Sequence, residues 1–224
     1  MKEHKCRSII DVGCGTGNHA LRLSKLGYEV VGIDISPTML RIAKEKRKEA
    51  KIKFIQGDMR KLKEIIPRNR KFDAAICLGQ AFSSLTTNRD ANAFFSGVHK
   101  MLRKNGLFVL GARNAKMINE DYLNKILLEH MLVEKRLQLL VLAYNTRHER
   151  KHDVIVWRPI FLMKENDKVD FQMREHKLKW IKYATLMKML AKNHFTIMSI
   201  YSGNTKEKFN EDKHTNMWFV TTAD

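Results

Sequence analysis

The chain is poor in the residues that staple or interrupt a fold. Three cysteines and three prolines are spread over 224 residues. Cys6, Cys14 and Cys77 are odd in number and sit in or beside apolar segments, which excludes a disulfide scaffold and fits reduced, buried thiols in a cytosolic protein. No internal repeat and no low-complexity stretch is present. No apolar run approaches the ~18 residues of a membrane-spanning helix. Residues 1–7 lead into the first apolar segment without the hydrophobic region of a secretory signal, so the expected location is cytoplasmic. Carboxylates are also scarce: 24 Asp and Glu stand against 42 Lys and Arg, a net charge of +18. Half of that excess lies in residues 41–71, with 13 Lys and Arg against 4 Asp and Glu. A solvated helix face accounts for such a run. It bears on solubility and adhesion to polyanions more than on the fold, and it keeps a nucleic-acid partner open without favouring one. An apolar content of 44% supports a substantial core, as one domain or one domain with a cap.

What the chain does have is a glycine turn between two acids. Ile9-Ile10-Asp11-Val12 is an apolar strand entering Gly13-Cys14-Gly15-Thr16-Gly17, and a helix pattern follows. A second strand, Val30-Val31-Gly32-Ile33, ends at Asp34, 17 positions after Gly17. That order is a nucleotide-binding βαβ unit with its ligand across the first turn. A dinucleotide fingerprint needs a third glycine where Asn18 stands, and a carboxylate at Asp11 would repel a pyrophosphate. S-adenosyl-L-methionine has no phosphate. Its sulfonium and ammonium are partners for acids, and Asp34 has two acceptor oxygens for the ribose hydroxyls. The turn therefore reads as an adenosylmethionine site.

Helix patterns over 18–26 and from Ser36-Pro37 onward alternate with strands over 29–33, 53–56, 73–78 and 107–111, and a helix is expected over 90–103. This alternation predicts an α/β fold with a doubly wound, Rossmann-like seven-stranded sheet. A helix is also expected near 116–129. Strand-like segments over 132–146, 153–162 and 168–180, with charged turns between them, then predict an inserted antiparallel β cap. Helical periodicity returns at 184–192, and strands at 195–202 and 216–222 complete the core. The expected organisation is a cofactor-binding core over 1–130, a cap over 131–182 and a return to the core over 183–224.

These motifs resemble those of the class I S-adenosylmethionine-dependent methyltransferases over most of the chain. Asp11 to Gly17 is similar to that family's first motif, and Gly32 to Met39 to its second. Gln56-Gly57-Asp58-Met59-Arg60 resembles the adenine-contacting turn, and Phe72 to Phe82 the fourth-strand motif. The resemblance implies donor contacts from Asp11, Gly13, Gly15, Gly17, Asp34, Ile35, Asp58, Met59 and Leu78. Within the class, glycine N-methyltransferase and nucleotide-sugar amine N-methyltransferases are the most similar. They imply methyl transfer to a small-molecule acceptor, an amine nitrogen being expected, positioned by Gln80 and Arg113. Gln80 stands where the glycine enzyme has Asn, so amino-acid specificity does not carry over. Such relatives carry some tens of residues before the first strand, against about seven here. A late reading frame, an open pocket and a lid from another subunit all fit that difference. An anionic acceptor and association of copies through the cap are further expectations. An RNA methyltransferase and an inactive binding protein of the same fold are the alternatives, although the N-P-P-Y-like turn of many nucleobase enzymes is absent.

Several residues have two readings. His148-Glu149-Arg150-Lys151-His152 spells the H-E-x-x-H of zinc hydrolases, which requires both histidines on one helix face. Here it lies between strand patterns, so no metal is expected. Arg113, beyond the tip of a central strand, is either a structural ion-pair partner or a bidentate clamp for carboxylate or phosphate. His19 either touches the cofactor or is a solvated helix-start residue. Tyr144, Trp157 and Phe171 either line the acceptor pocket or pack the cap.

Overall fold

The computed structural model describes residues 6–46, 52–119, 122–133, 137–148, 151–166, 168–203, 205 and 207–224. The first strand, Ser8–Val12 (β1), is apolar on both faces, and Ile9, Ile10 and Val12 are almost wholly buried. A strand of that kind belongs in the middle of a parallel sheet. It pairs in parallel with Glu29–Asp34 (β2) on one side and Phe72–Cys77 (β4) on the other. Ile52–Gln56 (β3) extends the sheet beyond β2. Leu102–Arg113 (β5) lies beside β4, followed by the antiparallel strands Phe195–Tyr201 (β11) and Asn216–Ala223 (β12). The order is β11-β12-β5-β4-β1-β2-β3, the seven strands expected.

The crossovers are Asn18–Lys25 (α1), Pro37–Lys46 (α2), a single turn at Leu62–Ile65 (α3) and Asn88–Met101 (α4), with Tyr183–Lys192 (α5) before β11. α1 ends as its sequence dictates, since Gly27 at φ 92° closes the helix with its amide on the Ser24 carbonyl. In α4 the Thr87 hydroxyl accepts the Asp90 amide and donates to the Asp90 carboxylate, so Thr87-x-x-Asp90 is a capping box. Phe94 and Phe95 of α4 pack on Phe108 of β5 and form the centre of the core.

The cap is a separate antiparallel sheet of Ile126–Val133 (β6), Leu137–His148 (β7), Lys151–Glu165 (β8), Lys168–Met173 (β9) and His176–Lys179 (β10). Its order is β10-β8-β7-β6, with β9 also paired to β8. One expectation fails here: no helix forms among the described residues of 116–129. Asn114 caps a single 3₁₀ turn at Ala115–Met117, and Asn124 adopts a left-handed φ of 58° with its amide on the Asn145 carbonyl. Two asparagines that favour turns break the helix, and pairing with β7 makes the rest a strand. The cap thus reaches back to Ile126, inside the stretch assigned to the core. Among the described residues no helix is long and apolar enough to cross a membrane.

Candidate active site

Parallel α/β sheets bind ligands beyond the C-terminal ends of their strands, where loops diverge to opposite faces. In this chain that edge holds the glycine turn after β1. The Gly13 and Cys14 amides both donate to the Ile33 carbonyl (2.8 and 3.0 Å), so the turn folds back over β2. Gly13, Gly15 and Gly17 all have positive φ (74°, 53° and 77°). A Cβ on Gly17 would meet Phe54 at 2.9 Å, whereas one on Gly15 would meet nothing within 4 Å. Gly17 thus allows α1 to pack closely, and Gly15 faces open space.

Asp34 braces this turn. Its Oδ2 accepts the Gly15 amide (2.8 Å) and its Oδ1 the Ser36 amide (2.9 Å). Each oxygen keeps a second lone pair for a ligand hydroxyl. Asp11 is of a different kind. It is 2% exposed, it sits between Gly32 of β2 and Ile76 of β4, and its Oδ2 has no hydrogen-bond partner. Burial, then the charge of Asp34, push its carboxyl up to about 7, against the pull of the Ala20 amide. A buried acid with an orphaned oxygen beside a second acid suits a cationic ligand and opposes a phosphate. The residues present therefore fit adenosylmethionine.

A cavity of about 390 Å³ opens beside the turn, within the usual range of small-ligand sites. Gly13, Asp34, Ile35, Asp58 and Met59 line it, so five of the nine expected donor residues meet there. Asp11, Gly15, Gly17 and Leu78 are not among its lining residues. Ile35, 63% exposed, and Met59 provide apolar surface for a flat ring. Asp58 is not free to read an adenine with its carboxylate alone. The Arg60 side chain donates to both of its oxygens (Nε at 3.0 and 2.8 Å), holds its carboxyl below the usual range and reaches Asp90 at 3.7 Å. Leu85, Thr86 and Asp90 also line the cavity and were missed; so does Arg60, placed in the turn over 56–60 but given no role. The capping box was the available signal for Asp90. His19 is exposed on α1 and outside the cavity.

On the acceptor side, Gln80 is exposed in the turn after β4. Arg113 projects from the end of β5, with its guanidinium 5.7 Å from the Trp180 ring centroid. Among the described residues no carboxylate pairs with it. Trp180 stacks against Tyr122 (4.8 Å), whose phenol burial pushes up while the Arg113 charge pulls it down. Sequence reasoning missed Asn145 altogether. It is 0% exposed, and neither its Oδ1 nor its Nδ2 has a partner. It pairs with Trp157 across β7 and β8, and Ile155, two residues along on the same face, packs on Leu123 and Trp180. Asn145 therefore faces the Trp180 and Arg113 side of the cap. Trp157 shares that face and donates to Glu129 (3.2 Å). Tyr144 and Phe171 lie on the opposite, outer face, away from the acceptor side. His148 ends β7 and Lys151 begins β8, so the H-E-x-x-H motif spans a hairpin; Glu149 and Arg150 lie outside the described residues.

This sheet, with its glycine turn and braced acid, is a Rossmann-like fold with a candidate ligand site at the usual strand edge. Residues 9–106 match the family model described as a methyltransferase domain. The chain is 38% identical over 116 residues to a glycine/sarcosine N-methyltransferase of Parasynechococcus marenigrum, covering 51% of this chain and 40% of that protein. It is 32% identical over 125 residues to the glycine N-methyltransferase of Rattus norvegicus, covering 51% and 43%. The chain thus spans less than half the length of these curated relatives. Among solved structures, an S-adenosylmethionine-dependent methyltransferase from Clostridium acetobutylicum superposes with a TM-score of 0.85 at 17% identity, over 99% of this chain and 87% of that one. An amino pentose methyltransferase from Micromonospora echinaspora, solved with S-adenosylmethionine bound, gives 0.78 at 19% identity over 98% and 84%. The fold is that of the S-adenosylmethionine-dependent methyltransferases, cap included.

Proposed function

We propose that this protein is an S-adenosylmethionine-dependent methyltransferase acting on a nitrogen of a small, anionic amine. The observation that carries the reading is the pair of acids at the glycine turn: Asp34 braced by two amides, Asp11 buried with an open oxygen. What the donor supplies when bound is an electrophilic methyl on a sulfonium, which becomes a neutral thioether on transfer. Little charge then needs stabilising at the leaving group, so orientation and exclusion of water carry the acceleration. Asp34 would hold the ribose hydroxyls, Asp11 would supply a favourable field for the cation, and Ile35 and Met59 would carry the ring. Arg113, oriented over Trp180, offers a fork of donors to a carboxylate or phosphate, and Asn145 one donor and one acceptor. Gln80, exposed in the turn after β4, is the further candidate for positioning the acceptor. The glycine/sarcosine and amino-sugar relatives support an amine acceptor, and an amine attacks only as its free base.

Transfer of labelled methyl to a panel of amino acids and amino-sugar nucleotides, at low and high salt, tests the reading. Activity on one class, little affected by salt, is expected. Activity confined to RNA and lost steeply as salt rises would replace it, because RNA is held through many phosphates. Donor binding without transfer to any acceptor would make the chain a binding protein.

A further inference from the structure

The cap sheet has an apolar outer face that the described residues leave uncovered along β6 and β9. Residues paired across antiparallel strands share a face, and alternate residues along a strand return to it. On the outer face β6 presents Ile126, Leu128, Met131 and Val133, which are 60–66% exposed. On the far side of the same face β9 presents Val169, Phe171 and Met173, at 59–72%. These are seven of the eleven large apolar side chains exposed among the described residues. Leu140, Leu142, Ile160 and Leu162 fill the face between them, half-buried. A hollow of about 260 Å³ opens in this face, with Met131, Leu140, Leu162 and Val169 among its walls.

We infer that this outer face is the interface of a homodimer, formed by stacking the cap sheets of two copies. Seven such side chains, each some three-fifths exposed, present on the order of 800–1,000 Å² of apolar surface, above the ~300–600 Å² of the largest patch on an ordinary monomer. That area matches the ~800 Å² one partner gives to a standard interface. The sequence agrees: Leu139 to Ala143 and Pro159 to Met163 are unbroken apolar runs, the pattern of strands covered on both faces. In one copy Leu140, Leu142, Ile160 and Leu162 of the outer face stay half-buried. The partner is apolar rather than anionic. Among the described residues the face's cations are Lys164, Arg158, tied to Glu175 at 3.0 Å, Lys179, tied to Asp153 at 3.0 Å, and Lys177 at the β10 edge, in a chain with 42 Lys and Arg. A nucleic acid or an anionic membrane would meet the basic excess elsewhere. A twisted sheet is complementary to its own copy at the usual aligned angle, and a two-fold axis closes the assembly at two.

Light scattering and sedimentation of the full chain over a concentration series should give twice 26.2 kDa, tightening as salt screens the like net charges. Phe171→Lys and Met131→Lys, both at exposed positions and so expected to fold, should each raise the dissociation constant at least tenfold, the effect of an interface hot spot. Peroxide oxidation supplies a second readout. Met131 and Met173 should be protected as concentration rises, whereas Met198, 52% exposed on β11, should not. A 26.2 kDa monomer throughout, or a dimer unmoved by both substitutions with equal oxidation of all three methionines, would overturn the inference. Capture of a monomeric chain by lipid vesicles would overturn it as well, by assigning the face to a membrane.

Discussion

Donor binding should displace a proton, and Asp11 is the group that loses it. Its carboxyl titrates near 7 in the folded chain instead of at 3.8 because it is buried and faces Asp34. A folded-state value above the unfolded one means that the native state takes up a proton the unfolded chain does not. From this group, stability therefore falls as pH rises from about 4 to about 7, by an amount on the order of a few kcal/mol. A cationic ligand reverses the local field, because it favours the ionised carboxylate. If the carboxyl returns to its ordinary range in the complex, affinity should drop about tenfold per pH unit below ~7 and level off above it. Calorimetry of adenosylmethionine at pH 5.5, 6.5 and 7.5, in buffers of different ionisation enthalpy, reads both the slope and the released proton. Asp11→Asn keeps the shape and removes the titration, so its affinity should be flat over this window and its stability less dependent on pH. A flat profile for the native chain, or an unchanged slope in Asp11→Asn, would refute the reasoning. In the second case the proton would belong to another group, such as the donor's own amine.

The acceptor half yields two predictions. Arg113→Lys keeps the charge and loses the bidentate fork, so kcat/KM for an anionic acceptor should fall at least tenfold while donor affinity holds, which steady-state kinetics and calorimetry separate. Asn145→Leu removes two buried polar atoms without partners and should leave thermal stability equal or higher, by up to ~1–3 kcal/mol, while acceptor kcat/KM falls. A marked loss of stability with full activity would make Asn145 structural.

The glycine turn and its two acids were legible because their determinants are local. Three glycines at positive φ, an acid before them and an acid at the next strand tip lie within 24 residues, and each has a backbone reason to be there. The doubly wound, seven-stranded sheet followed from alternation in the same way. What could not be read depends on contacts remote in sequence. Residues 116–129 have enough apolar spacing for a helix, but the choice was made by β7, which pairs with β6. Asn145 looked like an ordinary strand residue, since its burial arises only when β7 docks beside Trp180, 35 positions further on. Asp58 lines the cavity, but its partner was not read. Its carboxylate is engaged by Arg60, two residues away, and that guanidinium in turn reaches Asp90 on α4.

The distribution of charge gives the proposed reaction a direction. In a chain short of acids, Asp34, Asp58 and Asp90 line one cavity, with Asp11 buried behind the adjoining turn. Arg113 stands at the end of β5 with no described carboxylate to neutralise it. A cationic donor and an anionic acceptor are each attracted to one half of such a site and repelled from the other. Neither half needs a strong interaction for this sorting to work, because a few kcal/mol of field is enough to disfavour the reversed pair by a factor of ~100 or more. The amine nitrogen then enters between the halves, held at its anionic end by Arg113. The same polarity bears on the basic surface. A polyanion drawn to residues 41–71 would approach α2 and its flank, yet the nearby cavity presents it with acids. Charge that attracts a nucleic acid to the surface thus does not admit it to the site, and this is the physical reason to favour a small acceptor.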